Sequence, residues 1–318
     1  MILLPEARRA DRPTIEAIVV ARTPLFVTPV DGLPGHVRAG SSLVADGDAR
    51  WVVQDDTLSL VRLGGSERTV VPLPPHPSGA RTFDDRQGNK KAKLDLEAGF
   101  VLGDEVIAVG SGSSSKRERW VRVKRQPPHA VEVFDASALY AHLRATTAFS
   151  GSELNVEGAV VVGPTLVLVQ RGNGAAIDGQ PPFDALGALD LAAVAAFLAG
   201  GPAPTLLSVR RLDLGSVEGV RLTPTDGAAL PDGRLLLLCA AEDSPDAVSD
   251  GPVTGVALAI LDGDAISWGL IREAGGAPLT EKAEGVALDG PGRLTLVTDA
   301  DDPDAPASQL TVVWSEPR

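Results

Sequence analysis

"EGAVVVGPTLVLVQRG", residues 157–172, decides the fold. An acid opens a run of small and β-branched residues, Gly163-Pro164 breaks it, and a strongly apolar run follows that ends on Gln170, Arg171 and Gly172. Strand formers on both sides of a tight turn describe a β-hairpin. The pattern occurs four more times: "SSLVADGDARWVVQDD" from Ser41, "EAGFVLGDEVIAVGSG" from Glu97, "DGAALPDGRLLLLCAAED" from Asp226 and "EGVALDGPGRLTLVTDAD" from Glu284. Asp46-Gly47, Gly103-Asp104, Asp232-Gly233 and Asp289-Gly290 mark the corresponding turns. The copies begin near residues 41, 97, 157, 226 and 284, a spacing that fits a repeat of one supersecondary unit stacked on the next.

Two further strand-like runs follow each of the first four hairpins: "LSLVRL" and "RTVVPL", "RWVRVK" and "AVEVF", "ALGALDL" and "LSVRRLDL", "VALAILD" and "ISWGLI". Four strands per unit is the composition of a propeller blade. The fifth unit has only one more strand, "LTVVW" at 310–314, and "IEAIVVAR" at 15–22 is available as its fourth. The expectation is an all-β chain forming a single β-propeller domain over 1–318. It has five four-stranded blades, closed by the pairing of the N-terminal strand with the last blade, so that no sheet edge stays open. Six blades are the alternative, if residues 1–40 build a degenerate blade. Two helical insertions are expected, one opening at Asp135 with Leu139, Tyr140 and Leu143 on its apolar side, and "DLAAVAAFLAGG", capped by its Asp and stopped by Gly200 and Gly201.

Composition excludes several classes. The chain has 318 residues, 44% of them hydrophobic and 22% charged, and can bury a sizeable core. A formal charge of −13 argues against a nucleic-acid partner, which calls for clustered Lys and Arg. The basic run "KRERWVRVKR" at 116–125 reads as a solvated strand face. Cys239, the one cysteine, lies inside "RLLLLCAA" and reads as a buried thiol. The N-terminus carries no secretory pattern and no run is apolar enough for a membrane span. A cytoplasmic monomer with no membrane partner is the expectation.

In a hairpin, the start of the first strand and the end of the second lie at one end. If each first strand is the innermost of its blade, Ser41, Glu97, Glu157, Asp226 and Glu284 ring the mouth of the central channel, and the tips 54–56, 111–115, 171–173, 241–243 and 299–302 surround them. Converging carboxylates need positive charge, protonation or water. A Ca²⁺-like divalent cation would take oxygen ligands from Glu97, Glu157, Asp226 and Glu284. Alternatively Lys91, Lys93, Arg171 and Lys282 neutralise the ring directly. Asn155, Asn173 and Asp299 complete the expected ligand-binding set. No G-x-S-x-G elbow, paired-His metal spacing or P-loop is present, and His36, His76, His129 and His142 lie outside the hairpins. "DADDPDAP" at 299–306 lacks EF-hand spacing.

The stretches "KAKLDLEAGFVLGDEVIAVGSGSS", "ELNVEGAVVVGPTLVLVQRGNG", "TPTDGAALPDGRLLLLCAAEDSPDAVSDGP" and "EGVALDGPGRLTLVTDADDP" together resemble a bacterial β-propeller family of unknown function, akin to the esterase-like-of-phytase propellers. A weaker similarity is to the gluconolactonase and senescence-marker propellers, which implies an axial divalent ion; Glu157, Asp226 and Glu284 occupy comparable places. Three functional expectations follow. The channel mouth binds a small molecule, a divalent cation, or both. It supports metal-assisted hydrolysis of an ester, lactone or phosphate ester, with Glu157 or Glu284 activating water. Or the chain is a protein-interaction scaffold working through its outer edges.

Overall fold

The computed structural model describes residues 1–30, 32–243 and 251–316. The quoted stretch 223–252 therefore lies partly outside the described residues. The chain is all-β with a propeller-like arrangement of sheets. A first four-stranded sheet runs in sequence order through Gly40–Asp46, Ala49–Gln54, Ser59–Gly64 and Glu67–Pro72. A second runs through Leu96–Leu102, Glu105–Gly110, Arg119–Lys124 and Val131–Asp135.

The remaining strands join one large mixed sheet, and the N-terminal segment is what joins them. Two antiparallel runs lie within it: Val156–Val162, Thr165–Gln170, Asp184–Asp190 and Ser208–Asp213, and then Val220–Ala229, Leu235–Glu242, Val253–Asp262 and Ala265–Arg272. Ala7–Arg9 pairs in parallel with the outer strand of each, bridging them. The last run is Ala283–Gly290, Arg293–Thr298 and Ser308–Ser315, and Glu16–Pro24 pairs antiparallel beside Ser308–Ser315. The N-terminal segment thus supplies hydrogen bonds along three outer edges that would otherwise be exposed.

The first strands of these runs contact one another in a closed cycle: Gly40–Asp46 touches Leu96–Leu102, which touches Val156–Val162, then Val220–Ala229, then Ala283–Gly290, which returns to Gly40–Asp46. The apolar cores follow the same cycle. Trp51, Val53 and Leu60 pack on Val106, Ala108 and Val121. Phe100, Ile107 and Trp120 pack on Val156, Leu166 and Leu168. Val160 and Val169 meet Leu235 and Leu237, Leu236 and Leu258 meet Leu294 and Leu310, and Ala287 and Val297 meet Leu43 and Val52. Strands covered on both faces read as continuous apolar runs, which is why "TLVLVQ" and "LLLLCAA" do not alternate. Cys239 is free and buried in one of these cores.

Both expected helices are present, Ser137–Ala145 and Leu191–Leu198, and their Leu139, Tyr140, Leu143, Val194, Phe197 and Leu198 fill the core between the second and third sheets. Asp190 caps the second helix through Ala193 N–H at 2.7 Å. Asp135 sits one residue ahead of the first helix's cap and accepts from Ser137 N–H at 2.9 Å. A short third helix, Thr147–Ser150, follows. Among the described residues no helix is long and apolar enough to cross a membrane.

Candidate functional site

Each innermost strand carries a β-bulge near its start, and the bulges line up. The pairing register skips one residue between Gly40 and Ser42, Leu96 and Ala98, Val156 and Gly158, Pro224 and Asp226, and Ala283 and Gly285. The skipped residues are Ser41, Glu97, Glu157, Thr225 and Glu284. A bulge bends its strand and re-aims a side chain away from the ladder. Here it turns three glutamates toward one cavity of about 270 Å³, which Glu97, Glu157 and Glu284 line.

The alignment explains where Asp226 goes. It was expected as a metal ligand at the mouth, but it stands one residue past the bulge, and a one-residue shift sends a side chain to the other face. Asp226 is buried and does not line the cavity. Its Oδ2 accepts from Leu43 N–H at 3.3 Å, Ser42 Oγ–H at 3.2 Å and Val286 N–H at 2.9 Å, joining the first, fourth and fifth runs at their crowded centre. Burial pushes its pKa up to about 8 against these donors. Glycine permits the crowding: a Cβ on Gly285 would stand 2.8 Å from Ser42 C and Leu43 N. The true counterpart, Thr225, donates to Ala283 O at 3.2 Å.

Among the described residues, twelve carboxylates and seven cationic side chains line the cavity. Lys93 ties its second-sheet wall: its ammonium contacts Asp55, stands 2.7 Å from Asp95 and 4.0 Å from Glu97. Asp95, two residues before the bulge, has a φ of 58°, a conformation that Asp adopts more readily than most residues. It also pairs with Arg117 at 2.9 Å. Arg171 reaches Glu242 at 2.7 Å, Glu157 at 3.7 Å and Thr223 Oγ1 at 3.0 Å. Lys282 sits among Asp301 at 3.1 Å, Asp299 at 3.4 Å, Glu284 at 3.6 Å and Glu242 at 4.0 Å. Asn155 Nδ2 donates to Glu157 at 2.7 Å and to Asn173 Oδ1 at 3.2 Å. Toward the rim, Arg38 holds Asp56 at 2.9 Å and Asp84 at 3.0 Å.

Two glutamates are left short of partners. Among the described residues, neither Glu97 nor Glu284 accepts a hydrogen bond; each has only a long ion pair to a lysine. Burial, reinforced for Glu97 by Asp95, Asp55 and Glu157 and for Glu284 by Asp299 and Glu157, raises both well above the ordinary carboxylate range. Burial also raises Glu157, Asp55 and Asp299, and, with Asp55 alongside, lifts Asp56 to about 7. Asp95 moves the other way, because Lys93 and Arg117 outweigh its burial. The same acids outweigh burial at Lys93 and hold it protonated.

The cavity therefore collects Lys93, Glu97, Asn155, Glu157, Arg171, Asn173, Lys282, Glu284 and Asp299 from the expected set. Lys91 is not among them; it is exposed on a short turn of helix, Lys90–Ala92, and Lys90 faces the cavity instead. No histidine lines the cavity among the described residues. Sequence reasoning missed Arg38, Asp84, Asp95 and Arg117. Asp95 had a usable signal, since it lies two residues before a ring acid, as Asn155 and Lys282 do. Arg38 and Asp84 lie outside the repeat and had none.

A profile of a family of unknown function, DUF6929, matches residues 36–313. The chain belongs to that family. No curated protein matches the sequence. Among solved structures, it is similar to the glutaminyl cyclase of Myxococcus xanthus, with 11% identity, a TM-score of 0.50, and coverage of 98% of this chain and 100% of that one. It is also similar to a mannose phosphorylase from Leishmania mexicana, at 16% identity and a TM-score of 0.47 over 92% of this chain and 88% of that one. An aldose sugar dehydrogenase from Streptomyces coelicolor follows at 11% identity and a TM-score of 0.43, covering 96% and 100%. At such identities the likeness bears on fold alone, and the fold is propeller-like.

Proposed function

We propose that the chain is a five-bladed propeller, closed by Glu16–Pro24, whose channel mouth binds a small polar molecule. The observation that carries this reading is the pair Glu97 and Glu284, one half-buried and one buried, whose carboxylates line the cavity and accept no hydrogen bond from a described residue. A ligand that displaces solvent from these carboxylates must supply N–H or O–H donors in its place, since an acceptor left without one costs about 1–3 kcal/mol. The bulges support the reading, because rigid strands hold the three glutamates in place. Calorimetric screening of polar metabolites against wild type, Glu97→Gln and Glu284→Gln tests it. Binders weakened by both changes support the site; binders indifferent to both place binding elsewhere.

A divalent cation is the second reading, favoured by Asp55, Asp95 and Glu97, whose carboxylate oxygens lie within 4.8 Å of one another. The residues do not fit an axial ion well. Asp226 is committed to backbone donors, and the Lys93 ammonium already stands in the Asp55–Asp95–Glu97 cluster. Titration with Ca²⁺, Mg²⁺ and Mn²⁺ decides this reading, and an ester and lactone panel decides the hydrolase that would depend on it. The likeness to the esterase-like propellers of phytase gives that panel its first compounds.

A further inference from the structure

Resting on the reading of the cavity as a small-molecule site, we propose that its ligand is a compact organic cation, with a primary ammonium seated between Glu97 and Glu284. The protein already shows what this wall does with ammonium groups. Among the described residues, Lys93 Nζ stands among three carboxylates and Lys282 Nζ among four, so the side chains present ammonium-sized recesses rather than a metal cage. Acidic groups are left over once those lysines are counted, and an incoming ammonium would offset the burial that holds Glu97 and Glu284 toward their protonated forms. Among the described residues, acidic side chains outnumber cationic ones on the lining, and Glu284, 6% exposed, faces the cavity with no hydrogen-bond donor.

An ammonium supplies three donors and one positive charge, which answers both shortages at once; a sugar or diol answers only the first, and an anion answers neither. The cavity, about 270 Å³, has room for a short diamine or amino alcohol with water left beside it.

The experiment is calorimetric titration of the full chain with 1,4-diaminobutane and ethanolamine, against 1,4-butanediol, glycerol and CaCl₂ at one pH and salt concentration. The two amines are expected to bind and the near-isosteric diol is not. Glu97→Gln and Glu284→Gln are each expected to weaken the amines about tenfold or more, as loss of one charge-assisted contact does. Should either variant fail to fold, the diamine against diol contrast on wild type decides alone. If the diol or glycerol binds as tightly as the amines, the ligand class is wrong while the binding site stands. Calcium binding that excludes the amines replaces the inference with the cation reading. Absence of amine binding overturns it outright.

Discussion

Replacing Asp226 with alanine separates a structural role from a ligand role. Its Oδ2 accepts from two backbone N–H groups, Leu43 and Val286, that belong to different innermost strands, and from the Ser42 hydroxyl. The hydroxyl can rotate to another acceptor, but the two amides are fixed in crowded backbone. Orphaning a buried donor costs about 1–3 kcal/mol, so Asp226→Ala should destabilise the fold by about 2–6 kcal/mol. Asp226→Asn keeps one carbonyl oxygen for the same amides. Because burial already pushes the acid's pKa up to about 8, losing the charge at pH 7 removes little, and the expected cost is below about 1.5 kcal/mol. Urea unfolding at pH 7, followed by tryptophan fluorescence, measures both. Equal, small costs for the two variants would refute the role assigned here, as would loss of ligand binding in a stable Asp226→Asn protein.

Other perturbations test the surrounding network. Arg171, 5% exposed and paired with buried Glu242 and Glu157, should cost about 3–5 kcal/mol when changed to methionine, since buried carboxylates lose their counter-charge; a denaturation midpoint equal to wild type would contradict this. Gly285→Ala forces a Cβ to within 2.8 Å of the Ser42–Leu43 backbone and should cost about 1–3 kcal/mol, read from the same unfolding curves. Stability should fall between pH 5 and 8. The unfolded carboxylates are already ionised there, while Asp56 and Asp226, raised to about 7 and about 8, keep their protons in the folded state. Raising the pH then favours unfolding by up to about 1.4 kcal/mol per unit for each such group. Groups held low, such as Asp46, Asp84 and Glu105, have completed their titration below that window. A flat or rising profile would show that the cavity acids are ionised throughout.

The strands and their order were legible because the inner ones are apolar runs broken by a Gly- or Pro-marked turn and outer ones such as "RWVRVK" mix charged with β-branched residues, and Glu16–Pro24 was recognisable as a partner for Ser308–Ser315 by elimination. The ring was legible in four of its five positions. Ser41, Glu97, Glu157 and Glu284 fall on their bulges, each followed by a small residue, Ser42, Ala98, Gly158 or Gly285, that lets the strand bend between its neighbours. In the fourth copy the acid is displaced by one residue, and "Thr-Asp-Gly" offers no clue that Thr225 takes the bulge. A hydrophobic period of two fixes which residues face inward only when the register is known. The cation partners are harder to foresee, since Lys93 meets Asp55 between the first and second sheets and Arg171 meets Glu242 between the third and fourth runs. These contacts depend on how sheets pack, which strand periodicity does not report.

The measurement that bears most directly on the site is the crystal structure of the wild-type protein with the tightest binder from the polar-metabolite screen. The bulge-aligned ring predicts a donor group of that ligand within about 2.7–3.2 Å of carboxylate oxygens on both Glu97 and Glu284, with the Lys93 and Lys282 ion pairs still in place. A ligand seated on an outer sheet edge, with the cavity holding solvent alone, would contradict the assignment.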